Sequence, residues 1–131
     1  MLSESKVEAN IPASDLKRAR EFYSDKFGLT PTADIMGMNL RYQTSGGTAF
    51  NIYETQYAGQ AGHTIAQWHV TDLESEVADL KAKGVQFEVY ADMPGVEWRE
   101  EIAVLPGLGK AAWLKDSEGN ILCLDEEETP S

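Results

Sequence analysis

The chain has 131 residues, the length of one domain, and its 42% hydrophobic and 9% aromatic content is enough for a packed core rather than a disordered tail. Its 22 acidic against 11 basic residues give a net charge of −11, which argues against a nucleic-acid partner and against docking on an anionic membrane. The lone Cys123 excludes an intrachain disulfide and a Cys-cluster metal site, and no apolar run approaches the ~18 residues of a membrane span, so a cytoplasmic protein is expected.

In chain order, residues 6–12 read as a strand, with Val7, Ala9 and Ile11 on one face and Glu8 and Asn10 on the other. Ser14 or Asp15 then caps a helix. Its Leu16, Ala19, Phe22, Tyr23 and Phe27 recur at helical spacing, and Gly28 closes it. Three short strands follow near 31–37, 39–44 and 48–54. Past a Gly-rich connection comes a fifth strand ending at His69. Thr71-x-x-Glu74 then reads as a capping box before a helix with the stripe Leu73, Val77 and Leu80, stopped at Gly84. Three more strands are expected near 85–90, 110–115 and 120–125, with hairpin-like turns at 45–47 and 116–120.

This order, βαβββ twice, is also written as a repeat. Ala13-Ser14-Asp15-Leu16 matches Val70-Thr71-Asp72-Leu73 at an offset of 57, and residues 45–54 resemble 117–126 at an offset of 72. The difference of 15 places an insertion in the second copy, over about 91–108, where Pro and Gly are frequent and periodicity is poor. Module one covers about 6–55 and module two about 63–126, followed by an acidic tail over 126–131, within a single domain. The charge divides unevenly. Residues 1–57 carry 7 acids and 6 bases, and residues 58–131 carry 15 and 5. Most of this acidity belongs to the second helix, the insertion and the tail, and is expected to face solvent, leaving Glu8 as the one clear acid of any cavity.

Two βαβββ modules, with x-[ST]-D-L at each helix start and Asp116-Ser117-Glu118-Gly119-Asn120 before the last strand, resemble the vicinal oxygen chelate superfamily of glyoxalases, bleomycin-resistance proteins and extradiol dioxygenases. The resemblance implies an α+β fold. Two tandem modules form a partly open mixed β-barrel around a cavity, with the helices outside, usually in a homodimer. It also implies metal-ligand positions on the first and last strand of each module. Carried onto this chain these are Glu8, Asn51, Ile65 and Cys123. Only Glu8 is an ordinary ligand; Asn51 is a weak neutral donor, Ile65 cannot bind metal, and Cys123 would have to be a thiolate. No metal and no other cofactor is therefore expected, a divalent ion being the disfavoured alternative.

Candidate residues follow from this frame. Glu8, pointing into a cavity, is expected to have a raised pKa and to serve as general base or ligand acceptor, against the alternative of a solvated groove residue. His69 is a candidate proton donor or acceptor, against a half-buried histidine bonded to backbone. His63 is read as a rim residue on the same strand face as Ile65, Gln67 and His69, and His63 and His69 lie ~20 Å apart in an extended strand, too far to share an ion. Asn10 and Gln67 are equivalent under the offset and can hydrogen bond a ligand or one another. Asn51 and Tyr53 share a strand face and line the same cavity. Trp98 and Trp113 are candidate pocket walls, with core packing the alternative for Trp113, while Trp68 is core. Cys123 sits opposite Leu122 and Leu124 and reads as a small buried hydrophobe lining the site.

The function expected from these readings is binding of a small organic molecule in the cavity, of the bleomycin-resistance type. The alternatives are a divalent-metal-dependent lyase, isomerase or dioxygenase, with Glu8 as ligand or base, and a metal-free enzyme using Glu8 or His69 for proton transfer.

Overall fold

The structure, a computed structural model, describes residues 1–128; the last three residues of the expected acidic tail, 129–131, lie outside the described residues. After a single 3-10 turn at Leu2–Glu4 come β1 (Ala9–Ala13), α1 (Leu16–Phe27), β2 (Ala33–Ile35), β3 (Asn39–Gln43) and β4 (Ala49–Glu54). The second copy follows as β5 (Thr64–His69), α2 (Leu73–Ala82), β6 (Phe87–Glu88), β7 (Glu97–Arg99), β8 (Ile102–Leu105), β9 (Gly109–Lys115) and β10 (Ile121–Glu127). One sheet runs β1-β4-β3-β2, and the other runs β5-β10-β9-β8-β7 with β6 also on β9. In each, the strand before the helix pairs in parallel with the last strand of its module. Neither sheet closes, which is the expected partly open α+β arrangement.

Strand alternation divides each sheet into two faces. Ile11, Ala13, Leu40, Tyr42, Ile52, Ala112, Leu114, Leu122 and Leu124 join Leu16, Ala19, Tyr23, Leu73, Val77 and Leu80 of the helices in one continuous core. Each fully buried aliphatic side chain there contributes about 1.5–3 kcal/mol. Trp68 packs on this core beside Phe27 and Phe50. The opposite face of each sheet is left open.

Both helices start on the aspartate of the repeated motif. Asp15 accepts from the Arg18 amide at 3.0 Å and Asp72 from the Ser75 amide at 3.1 Å. The expected Thr71/Glu74 box is thus not what caps α2. Glu74 turns instead to Lys110, at 2.6 Å. The helices' C-termini meet across the repeat: Lys26 Nζ donates to the Lys83 carbonyl and Lys83 Nζ donates back to the Lys26 carbonyl, a pair separated by the repeat offset of 57. The 91–108 stretch also differs from its reading as an aperiodic loop. It folds as the β7–β8 hairpin and extends the second sheet along β9. Likewise Glu126 and Glu127 belong to β10 rather than to a tail.

The turn at 116–120 adds a polar link between the modules. Asp116 is buried and accepts from the Glu118 and Asn120 amides, from Asn120 Nδ2 and, at 2.7 Å, from the Tyr23 hydroxyl of α1. The Glu118 side chain, 0% exposed, takes the Asp15 amide, the Ser14 and Ser117 hydroxyls and a two-pronged contact from Arg18 at 2.8 and 3.0 Å. Asn120 donates to the Pro12 carbonyl at 2.8 Å. Gly59, at φ +76°, packs so closely on the Glu118 carbonyl that a Cβ would sit 2.6 Å from it. One five-residue turn therefore ties β1, α1, the inter-module connection and the second sheet together.

Burial alone would raise the Glu118 pKa, but the Arg18 fork, the Asp15 amide and the Ser117 hydroxyl outweigh it and hold the carboxyl at about 2. A carboxyl this far below its unfolded value of about 4.3 stabilises the fold fully above that value, and the contribution fades as pH falls toward about 2. Glu118→Gln should accordingly cost about 2–3 kcal/mol at neutral pH. In urea melts the gap between wild type and E118Q should narrow steadily from pH 5 downward. A gap that does not change with pH would contradict this account of the turn.

Candidate functional site

The open face of the first sheet carries Glu8, Asn10, Asn39, Arg41, Asn51 and Tyr53, because β3 and β4 turn Leu40, Tyr42, Phe50 and Ile52 to the core. Four of these form one hydrogen-bonded cluster. Arg41 Nε and Nη2 donate to the two Glu8 oxygens at 3.1 and 3.0 Å, Asn51 Nδ2 donates to Glu8 Oε1 at 3.1 Å, and Asn39 Nδ2 donates to Asn51 Oδ1 at 3.2 Å. The Arg41 fork is the main reason that the Glu8 pKa lies below its ordinary value; partial desolvation works against it, and Asn51 and Lys6 add to the lowering. This corrects the expectation of a raised pKa. Glu8 is an ionised, charge-paired acceptor and a poorer base than a free carboxylate, so the arrangement orients hydrogen bonds rather than moving protons.

The open face of the second sheet is differently furnished. A bulge in β5 between the partners of Ile121 and Leu122 inserts one residue, so Thr64 pairs with Ile121 and Ala66 with Leu122. Ile65 therefore packs on the core and does not share a face with Gln67 and His69, contrary to simple alternation. Thr64 takes the open side, where Trp113 Nε1 donates to its hydroxyl at 3.1 Å. Trp113 meets Tyr90 edge to face and Trp98 of the inserted hairpin at a tilt, at centroid distances of 5.7 and 6.0 Å. Thr64, Gln67, Trp113, Cys123 and Asp125 line a depression of about 220 Å³, with Leu105 and Leu108 also on its wall. Burial, with Asp125 nearby, pushes the Cys123 thiol up to about 12, so it is a neutral wall and not a nucleophile or thiolate.

The two faces correspond across the repeat. Arg41 pairs with Asn51 as Trp113 pairs with Cys123, and each reaches over to the start of its module's first strand, to Glu8 just before β1 in one case and Thr64 of β5 in the other. An ion pair in the first copy is a Trp–Thr contact in the second. Among the described residues no side-chain hydrogen bond links these two clusters, so the structure holds them as two half-sites.

The remaining candidates are more exposed. Asn10 and Gln67 lie on the open faces but make no side-chain hydrogen bond to each other or to any other described residue, and Tyr53 is exposed beside Asn51. His69 is 68% exposed and contacts Asp125 at 2.7 Å instead of a backbone group. Asp125 and Glu127 share its sheet face, so Glu8 is not the only acid on the open faces. Sequence reasoning missed Arg41, although the offset of 72 maps it onto Trp113 and it alternates with the core residues Leu40 and Tyr42.

The positions at which the resemblance places metal ligands do not make a donor set. Glu8 is engaged by Arg41, Asn51 presents its amide NH₂ to Glu8, Ile65 is aliphatic and turned to the core, and Cys123 is a protonated thiol.

A family model of the Glyoxalase/Bleomycin resistance protein/Dioxygenase superfamily matches residues 7–124. Among solved structures, a bleomycin-binding protein complexed with bleomycin is similar at a TM-score of 0.69 and 19% identity, covering 95% of this chain and 99% of that one. The antibiotic-binding protein TnmS3 from Streptomyces sp. CB03234 gives 0.66 and 19%, covering 98% and 100%. The E126Q mutant of the fosfomycin resistance protein FosX from Listeria monocytogenes, complexed with Mn(II) and 1S,2S-dihydroxypropylphosphonic acid, gives 0.67 and 15%, covering 93% and 89%. No curated protein sequence matches the chain. Structural likeness at these identities is one of fold, and the family follows from the sequence model over nearly the whole chain: this protein belongs to the glyoxalase/bleomycin resistance protein/dioxygenase superfamily.

Proposed function

We propose that the chain binds a small organic molecule against its open sheet faces and does so without a metal at the family's ligand positions. The observation that carries this reading is the Glu8–Arg41–Asn51–Asn39 cluster. At the point where a metal ligand would stand, the carboxylate is neutralised by a fixed guanidinium fork, and the neighbouring amide is spent on the same carboxylate. Such a cluster presents preorganised donors and acceptors to a polar ligand at little ordering cost. Trp113 and Trp98 supply apolar area on the other face, with Gln67 and the neutral Cys123 beside them. Bleomycin binding by one structural relative and antibiotic binding by another support the class of activity.

Because the polar and aromatic half-sites are not joined within one chain, the reading includes a homodimer that sets one copy's first-sheet face against its partner's second-sheet face. Val7, Met36 and Met38 of the first module and Tyr57 of the connection after it are exposed apolar residues that such an interface would cover. Light scattering should give twice the 14.5 kDa chain mass; a monomer at every concentration would remove this part of the proposal.

Ligand binding is tested by tryptophan fluorescence in EDTA-containing buffer, with bleomycin and a panel of aromatic, amide-bearing small molecules as probes. At least one probe should give a saturable change, weakened about tenfold by Arg41→Ala, equivalent to about 1.4 kcal/mol. With Glu8 held ionised below its ordinary range, that affinity should not vary between pH 5.5 and 8 through Glu8. No saturable change across the panel, or binding that appears only when Mn(II) is added, would contradict the reading.

A further inference from the structure

A second constellation adjoins the aromatic half-site where β5 and β10 end, sharing Asp125 with it. His69 pairs in register with Asp125, and Glu127 follows two residues later on the same face of β10. His69 Nδ1, a carboxylate oxygen of Asp125 and one of Glu127 all lie within 4.8 Å of one another. Asp125 Oδ1 is closed off from solvent and receives no well-directed hydrogen bond, although His69 Nδ1 stands 2.7 Å away. A carboxylate oxygen removed from water in this way lacks a well-directed donor, and the imidazole nitrogen is the polar atom beside it. Among the described residues Glu127 forms no ion pair. Lys110, on the neighbouring strand, is turned to the helix side, where it serves Glu74 at 2.6 Å and Glu126 at 3.5 Å.

We propose that His69, Asp125 and Glu127 form a binding site for a divalent transition-metal ion of the zinc or nickel type. One imidazole and two carboxylates suit such borderline ions, whereas magnesium and calcium favour all-oxygen shells. Metal–ligand bonds of about 2.0–2.2 Å place neighbouring donors roughly 3–3.5 Å apart. His69 and Glu127 are exposed side chains and reach that spacing by rotation, while the backbone register already fixes Asp125 between them. The site lies two register positions beyond Gln67 and Cys123 on the same two strands, so it is distinct from the positions that the family resemblance implies. Its remaining coordination positions are open to water or to oxygen atoms of a molecule in the depression that Asp125 also lines. Binding of an organic molecule in EDTA does not depend on it, so either proposal can fail alone.

Calorimetric titration of the untagged full chain with zinc chloride, and separately nickel chloride, tests the site. Wild type should bind one ion per chain saturably. His69→Ala and Glu127→Gln should each weaken binding by roughly tenfold or more, and the exposed Glu21→Gln should leave it unchanged. Both altered side chains of the site lie at the surface, so thermal melts without metal should match wild type. Absence of saturable binding, or binding equal in wild type, H69A and E127Q, would overturn the proposal.

Discussion

Two carboxylates buried in one turn hold this molecule in its working shape. Asp116 and Glu118 belong to the second module, yet most of their partners outside the turn belong to the first: Tyr23, Ser14, Asp15 and Arg18. Buried carboxylates are costly unless fully satisfied, and these are. Because Arg18 sits on the first turn of α1 and Asp116 anchors Tyr23 about one and a half turns later, the turn fixes both the position and the rotation of the helix. The helix in turn decides which face of the first sheet is covered. The open face, with Glu8 and Arg41, is thus set by contacts on the far side of the strands.

Duplication supplies the frame and divergence supplies the chemistry. Equivalent strand positions carry Arg41 and Trp113, and Asn51 and Cys123, and the bulge in β5 leaves Thr64 rather than Ile65 to answer Glu8, so one backbone plan offers a charged hydrogen-bonding face and an aromatic one. The inserted β7–β8 hairpin deepens that difference, since it brings Trp98 against Trp113 and has no counterpart in the first copy. A ligand engaging both faces would need a polar group at one end and a flat apolar body at the other. The net charge of −11 has little part in this, because the first face pairs its acid with an arginine.

The repeat made the fold legible. Offsets of 57 and 72 located both helices and most of the strands, and alternation put Leu122 and Leu124 opposite Cys123, but it also put Val7 and Ala9 on the face of Ile11, and both of these are exposed. What alternation cannot show is a change of period. The extra residue near Ile65 reverses the parity of everything before it in β5, and nothing in the residue types announces a bulge. Partners distant in sequence were equally hidden. Glu8 taken alone suggests a base, and only the fold shows Arg41 lying across it, 33 residues away. Glu118 likewise reads as a turn acid until Arg18, 100 residues distant, is seen to close over it. The insertion appeared irregular because its strands are only three and four residues long, too short for a period to register.

The turn makes the two modules behave as one unit. Native-state hydrogen exchange measures this directly, because the Asp15, Glu118 and Asn120 amides all donate to its carboxylates. These three amides should exchange only through global unfolding, with the same free energy as the core strands β4 and β10. Exchange at markedly lower free energy, with either module opening while the other stays closed, would contradict it.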